Sequence, residues 1–185
     1  MDARPRAARP LCRLAVHMTT AYLMVAGVHG SAAVSVQEEG RPARVRPWPC
    51  RLVVKPTLLG VLEDGWQRLP TLQRQCRELA DAGAVVVLQW GPTDPQAQAV
   101  TRMRLAEDGV LVAHVSVPPV SDALVLVVHE LEHVLERTRG VDFAAESKRH
   151  GSGVWQADGG FETQRAIDAG TRARKELREA ARAPR

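Results

Sequence analysis

Ser121-Asp122-Ala123-Leu124-Val125-Leu126-Val127-Val128-His129-Glu130-Leu131-Glu132-His133-Val134-Leu135-Glu136 is the stretch whose reading decides both the fold and the chemistry of this chain. Leu124, Val128, Leu131 and Leu135 recur at helical spacing and make one apolar face. Val125, Leu126 and Val127 render the first turns apolar nearly all round, so the helix should enter the core. Ser121 or Asp122 can cap its start, and it should run to about Thr138 and stop at Gly140. His129 and His133, four positions apart, stand one above the other on one face. From there both imidazoles can reach a single ion through bonds of about 2.0–2.1 Å. Glu130 is displaced around the helix, free to hold and deprotonate a water. The plainer alternative is a surface helix with a polar stripe, because His129, Glu132, His133 and Glu136 share a face. Against it, a helix this apolar does not bury two histidines beside three glutamates without a partner. A cation is such a partner.

Upstream of this helix the pattern is mixed. Arg51-Leu52-Val53-Val54 is a short strand closed by Lys55-Pro56, while Leu58 to Leu69 has no clear period because Gly60, Gly65 and Pro70 interrupt it. Pro70 to Ala82 reads as a helix, with Thr71 as cap, Leu72, Cys76, Leu79 and Ala80 as its apolar face and Gly83 as its stop. Ala84-Val85-Val86-Val87-Leu88 is a buried strand. Gly91-Pro92-Thr93-Asp94-Pro95 should be a loop, followed by a strand within 97–105 on which Val100, Arg102 and Arg104 alternate with Thr101, Met103 and Leu105. After the turn at Asp108-Gly109, Val110 to Val117 reads as a strand with His114 on its more polar face. Downstream, 141–160 is polar and broken by glycines. From Phe161 to Ala181 a helix is expected, with Ala166, Ala169, Ala173 and Leu177 as a stripe of mostly small residues. The fold class expected is α+β.

The chain has 185 residues and 45% hydrophobic content, enough for one ordinary core, but only 4% aromatic residues, so valine, leucine and alanine must fill it. The formal charge of +4 is concentrated at the start. Residues 1–33 hold four arginines and one acid, leaving 21 basic and 20 acidic residues beyond. A nearly neutral body gives no support to nucleic-acid binding.

Arg4 to Arg13, the apolar stretch Ala21 to Val28 and the small residues Ser31-Ala32-Ala33 form the pattern of a secretory signal peptide over 1–33. That stretch is too short and interrupted to span a bilayer. Residues 34–49, rich in proline and arginine, read as a linker, and 50–185 as the functional domain. An exported location follows, periplasmic or extracellular. Cys50 and Cys76 then remain as an even pair that permits one disulfide.

At His129-Glu130-Leu131-Glu132-His133 the chain resembles the zincin metallopeptidases, whose motif is H-E-x-x-H. The resemblance implies a minimal zincin-like core over about 70–180: a small sheet packed on an active-site helix, and a C-terminal helix bearing the last ligand. It implies Zn2+ as cofactor, Glu130 as general base and a peptide or protein as substrate. The longer metzincin pattern fails, since Glu136 and Arg139 stand where a glycine and a third histidine would be. What remains resembles the gluzincins, whose third ligand is a downstream glutamate. Glu162, 29 residues past His133 on the small-residue helix, is the preferred candidate, and Glu146, 13 residues past and four before His150, the alternative. Gluzincins often carry an aspartate four residues after that ligand, and here the position is Ala166.

An oxyanion donor is also needed. Tyr22, the chain's one tyrosine, lies in the leader, so His150 is the best remaining candidate, ahead of His114. Glu132 or Glu136 can orient a ligand imidazole, and Trp155 reads as a packing residue. The competing function is a non-catalytic zinc-binding module with the same fold. A carboxylate di-iron site would need a second E-x-x-H besides Glu130-x-x-His133, and the chain has none.

Overall fold

The computed structural model describes Trp48 and residues 50–91, 99–157 and 160–183. The expected leader, nearly all of the linker and all of the 91–95 loop except Gly91 lie outside them. Strand β1 (Arg51–Val54) leads into two consecutive helices, α1 (Pro56–Arg68) and α2 (Pro70–Asp81). Strands β2 (Val85–Trp90), β3 (Val100–Leu105) and β4 (Leu111–Val117) follow, then α3 (Ala123–Thr138), the short α4 (Phe143–Glu146), β5 (Val154–Ala157), β6 (Gly160–Thr163) and α5 (Gln164–Arg182). The architecture is α+β, as expected: a four-stranded mixed sheet with helices, and a separate two-stranded sheet.

The sheet order is β1-β2-β4-β3. β1, β2 and β4 run parallel, and β3 pairs antiparallel with β4 as the edge strand. Alternation along β4 sends Leu111, Ala113, Val115 and Val117 into the core and leaves His114 exposed on the opposite face. The core contains Leu52, Val86, Leu88 and these β4 residues with Leu58, Leu62, Leu72, Leu79, Val127, Val128, Leu131 and Val134. His114 therefore points away from the helices, beside Val87 and Arg102 in the strand register. It does not face the motif helix.

The segment without a clear period is the helix α1. Leu58, Leu62 and Gly65 are its buried face. Gly65 is not a breaker but a place of close approach: a Cβ there would collide with the side chain of Leu124 on α3. Helix α2 stops at Gly83, whose φ of 68° suits glycine, and α3 stops before Gly140, φ 85°. Two caps differ from expectation. Leu69 occupies the N-cap of α2, and Thr71, inside the first turn, gives its N–H and hydroxyl to Glu176 of α5. Asp122 is the N-cap of α3, but its carboxylate pairs with Arg174 instead of capping.

The glycine-broken segment holds more structure than its composition suggested. β5 and β6 form an antiparallel hairpin with Trp155 opposite Glu162. The last helix begins three residues later than expected, because Thr163 accepts from the Ala166 N–H and caps it. Ala166, Ala169, Gly170 and Ala173 make its buried stripe, and Leu177 is partly buried against the core. Cys50 and Cys76 are joined as a disulfide, tying the residue before β1 to α2. No helix among the described residues is long and apolar enough to cross a membrane.

Candidate metal centre

The site is built from one helix and one hairpin. On α3, His129 and His133 present their rings to the same side, with centroids 5.0 Å apart. Glu162 comes to them from β6, not from the helix expected to carry it. Its Oε2 lies 3.3 Å from His129 Nε2 and its Oε1 3.4 Å from His133 Nε2. One ligand atom from each of the three residues falls within 4.8 Å of the others, close enough to hold one metal ion. Tetrahedral bonds of about 2.0–2.1 Å place ligand atoms roughly 3.3–3.4 Å apart. Each histidine nitrogen meets a different oxygen of Glu162 at about that separation, and two imidazoles with a carboxylate make a donor set suited to zinc.

Charge balance points the same way. Glu130 and Glu136 are buried, 6% and 3% exposed, and Glu162 is half-buried between the imidazoles. Among the described residues no lysine or arginine pairs with any of these three carboxylates. Arg74 and Arg139 are instead directed to Glu132 and Glu78 on the other side of α3. Three carboxylates facing two imidazoles leave a local negative excess that a dication offsets.

Each carboxylate is held by a specific donor. Thr101, on the edge strand β3, gives its hydroxyl to Glu130 Oε2 at 2.6 Å. The Thr163 N–H reaches Glu162 Oε1 at 2.7 Å, and its hydroxyl reaches Glu136 Oε2 at 2.7 Å. Glu136 in turn lies 3.5 Å from His133 Nδ1, on the side of the ring away from Glu162. From there it can orient the His133 ring. Glu132, the other orienting candidate, accepts from Arg74, Gln75 and Arg139, and so ties α3 to α2. Burial alone would lower the His133 pKa, but Glu136, Glu130 and Glu162 outweigh it and hold the imidazole above its usual value.

The remaining candidates are placed elsewhere. Glu146, at the end of α4, pairs with Arg149 at 2.7 Å and not with the histidines of α3. His150 is exposed in the turn after α4 and takes no part in the ion pairs of the cluster. Trp155, read as packing, is 39% exposed and sits across the hairpin from Glu162. The chain's two phenylalanines both border the site: Phe143 stands edge-on to His133 at 6.0 Å and stacks on Phe161 at 6.2 Å.

Sequence reasoning missed Thr101 and Thr163. The face of Thr101 was readable from the alternation along β3, but not its partner on α3. Thr163 lacks the glutamate three residues on that marks a capping box, because Ala166 stands there. No family model, no curated protein and no solved structure matches the chain.

Proposed function

We propose that this chain is a zinc-dependent hydrolase, and specifically a metallopeptidase of gluzincin type. The observation that carries the reading is the convergence of His129, His133 and Glu162 on one point, with Glu130 buried on the same helix. His129, His133 and Glu162 would hold the ion. Bound zinc supplies Lewis acidity, polarising a carbonyl and making water acidic enough to lose a proton near neutral pH. Glu130 then has a defined task. Thr101 fixes one of its oxygens, and the other is available to take the proton from the attacking water and pass it to the leaving amine. His150 stays the proposed oxyanion donor, reaching substrate only by movement of its exposed turn.

A peptide or protein substrate and an exported location are part of the same proposal. The arginine-rich leader motivates export, and the Cys50–Cys76 disulfide is compatible with an oxidising compartment. A second reading, a zinc-binding module without catalysis, is favoured by the exposure of His150 away from the cluster.

Metal analysis and peptide hydrolysis, measured together, separate the two. Wild type should hold one zinc per chain, and His129→Ala, His133→Ala and Glu162→Ala should lose it, whereas Glu146→Ala should not. Glu130→Gln should keep zinc and lose hydrolysis by a factor of about 10²–10⁴. Wild type that binds zinc without cleaving any peptide establishes the module reading. Wild type that binds no zinc defeats both.

A further inference from the structure

We infer that Thr163 is a positioning residue that sets the tautomer and aim of His133 through Glu136, and of Glu162 directly. It rests on the metal-centre reading and extends it to a residue that ligates nothing. Thr163 is 1% exposed, and its polar atoms make three contacts: the N–H to Glu162 Oε1 at 2.7 Å, the hydroxyl to Glu136 Oε2 at 2.7 Å, and the Ala166 N–H to its hydroxyl oxygen at 3.1 Å.

Proton directions follow from donor inventory. The Ala166 N–H can only donate, so the Thr163 oxygen accepts there and spends its single proton on Glu136. Glu136 Oε2 is thereby an acceptor, and it also lies 3.5 Å from His133 Nδ1, where a proton on that nitrogen suits it. Nε2 in turn lies 3.4 Å from Glu162, but that side chain is 25% exposed and can be served by water, whereas the Glu136 side chain is 4% exposed, so the single proton of the neutral ring belongs on Nδ1 and the lone pair on Nε2. The relay begins at the N-terminus of α5, where the helix dipole favours the negative charges of Glu136 and Glu162. One residue thus couples the start of α5 to two of the three ligands.

Zinc affinity, measured by chelator competition on the full chain, tests this with Thr163→Val, Thr163→Ser, Glu136→Gln and the Thr163→Val/Glu136→Gln double variant. Thr163→Val should weaken zinc about 10–100-fold, as loss of a supporting hydrogen bond does, while Thr163→Ser stays close to wild type. In the Glu136→Gln background Thr163→Val should cost much less, because the relay is already broken. Unchanged affinity in Thr163→Val, or fully additive effects, overturns the inference, since loss of a helix cap alone would add independently.

A second measurement needs no metal and no valine variant. In the neutral imidazole, at a pH high enough that its ring ¹⁵N shifts no longer change, those shifts should show the Nδ1–H tautomer for His133 in wild type and Thr163→Ser and a mixture in Glu136→Gln. A mixture already in wild type overturns the inference even if zinc binds. The Nδ1–H tautomer in a wild type that binds no zinc supports the relay and removes the metal reading alone.

Discussion

At His133 a proton and the proposed metal would compete for the same nitrogen. The carboxylates of Glu136, Glu130 and Glu162 hold its pKa above the usual 6.5 despite its burial. In the metal-free protein this raised value is a source of stability that is fully present below the unfolded pKa and is lost as pH rises through the folded one. Metal binding runs the other way, because Nε2 must be free of its proton. The His133 proton alone should therefore make zinc affinity climb about tenfold per pH unit below the raised pKa, and this contribution should level off above it. Chelator competition and thermal unfolding of the metal-free protein, both followed from about pH 5.5 to 8.5, should show these opposite trends. A flat affinity profile would remove His133 from the ligand set. At this scale the sequence was most legible where chemistry depends on local spacing: His129, Glu130 and His133 are fixed relative to one another by the helix alone. Glu162 could be nominated by its residue type and position but not placed, since a four-residue strand is too short to show a period. Thr101 and Thr163 were illegible because their roles are defined by partners 29 and 27 residues away.

Between elements, the junction of α2 and α5 shows why caps were the least readable feature. The N-cap of α2 is Leu69, which has no side chain to offer the first-turn N–H groups. Glu176, 105 residues beyond Thr71, supplies both acceptors: Oε2 takes the Thr71 N–H at 3.1 Å and Oε1 the Thr71 hydroxyl at 2.7 Å. A carboxylate at a helix N-terminus is favoured by the dipole as well as by the hydrogen bonds. Glu176→Ala should destabilise the protein by about 1–2 kcal/mol, read as a lower urea midpoint at unchanged slope. Glu176→Gln, which keeps an acceptor and loses the charge, should cost less. A Glu176→Ala midpoint equal to wild type would show that water serves Thr71 equally well. The missed helix α1 has the same kind of cause. Gly60 and Gly65 lower helix propensity by about 1 kcal/mol each, yet Gly65 is where α1 must approach Leu124. Packing overrode propensity there, and no local pattern announces that. The strands of the four-stranded sheet fared better, because apolar runs and alternation are local: Arg51–Val54 and the core of β2 were readable to within two residues, whereas the four-residue β5 and β6 were not read at all.

Across the whole molecule two ties act on different parts of the chain. The disulfide joins Cys50, just before β1, to Cys76 on α2, and a metal on the three candidate ligands would join α3 to the β5–β6 hairpin. Closing a loop between residues 26 apart should contribute about 2–4 kcal/mol, mainly by restricting the unfolded chain. Zinc at a hundred times its dissociation constant should contribute about 2.7 kcal/mol by mass action. Side chains of α2 connect the two: Gln75 donates to the Val128 carbonyl of α3 at 2.8 Å and to Glu132 at 2.9 Å, and Thr71 donates to Glu176 of α5. Neither Val128 nor Glu132 is among the three ligand candidates. The effects of Cys50→Ser/Cys76→Ser and of chelation on the free energy of unfolding should accordingly add to within about 0.5 kcal/mol. Chemical unfolding of wild type and the cysteine variant, each with zinc and with chelator, completes the cycle. A cysteine variant that loses its zinc would mean that α2 transmits the state of the disulfide to the ligands through its contacts with α3 and α5. Additive losses would establish the metal centre as a unit that stands on α3, the hairpin and the start of α5 alone.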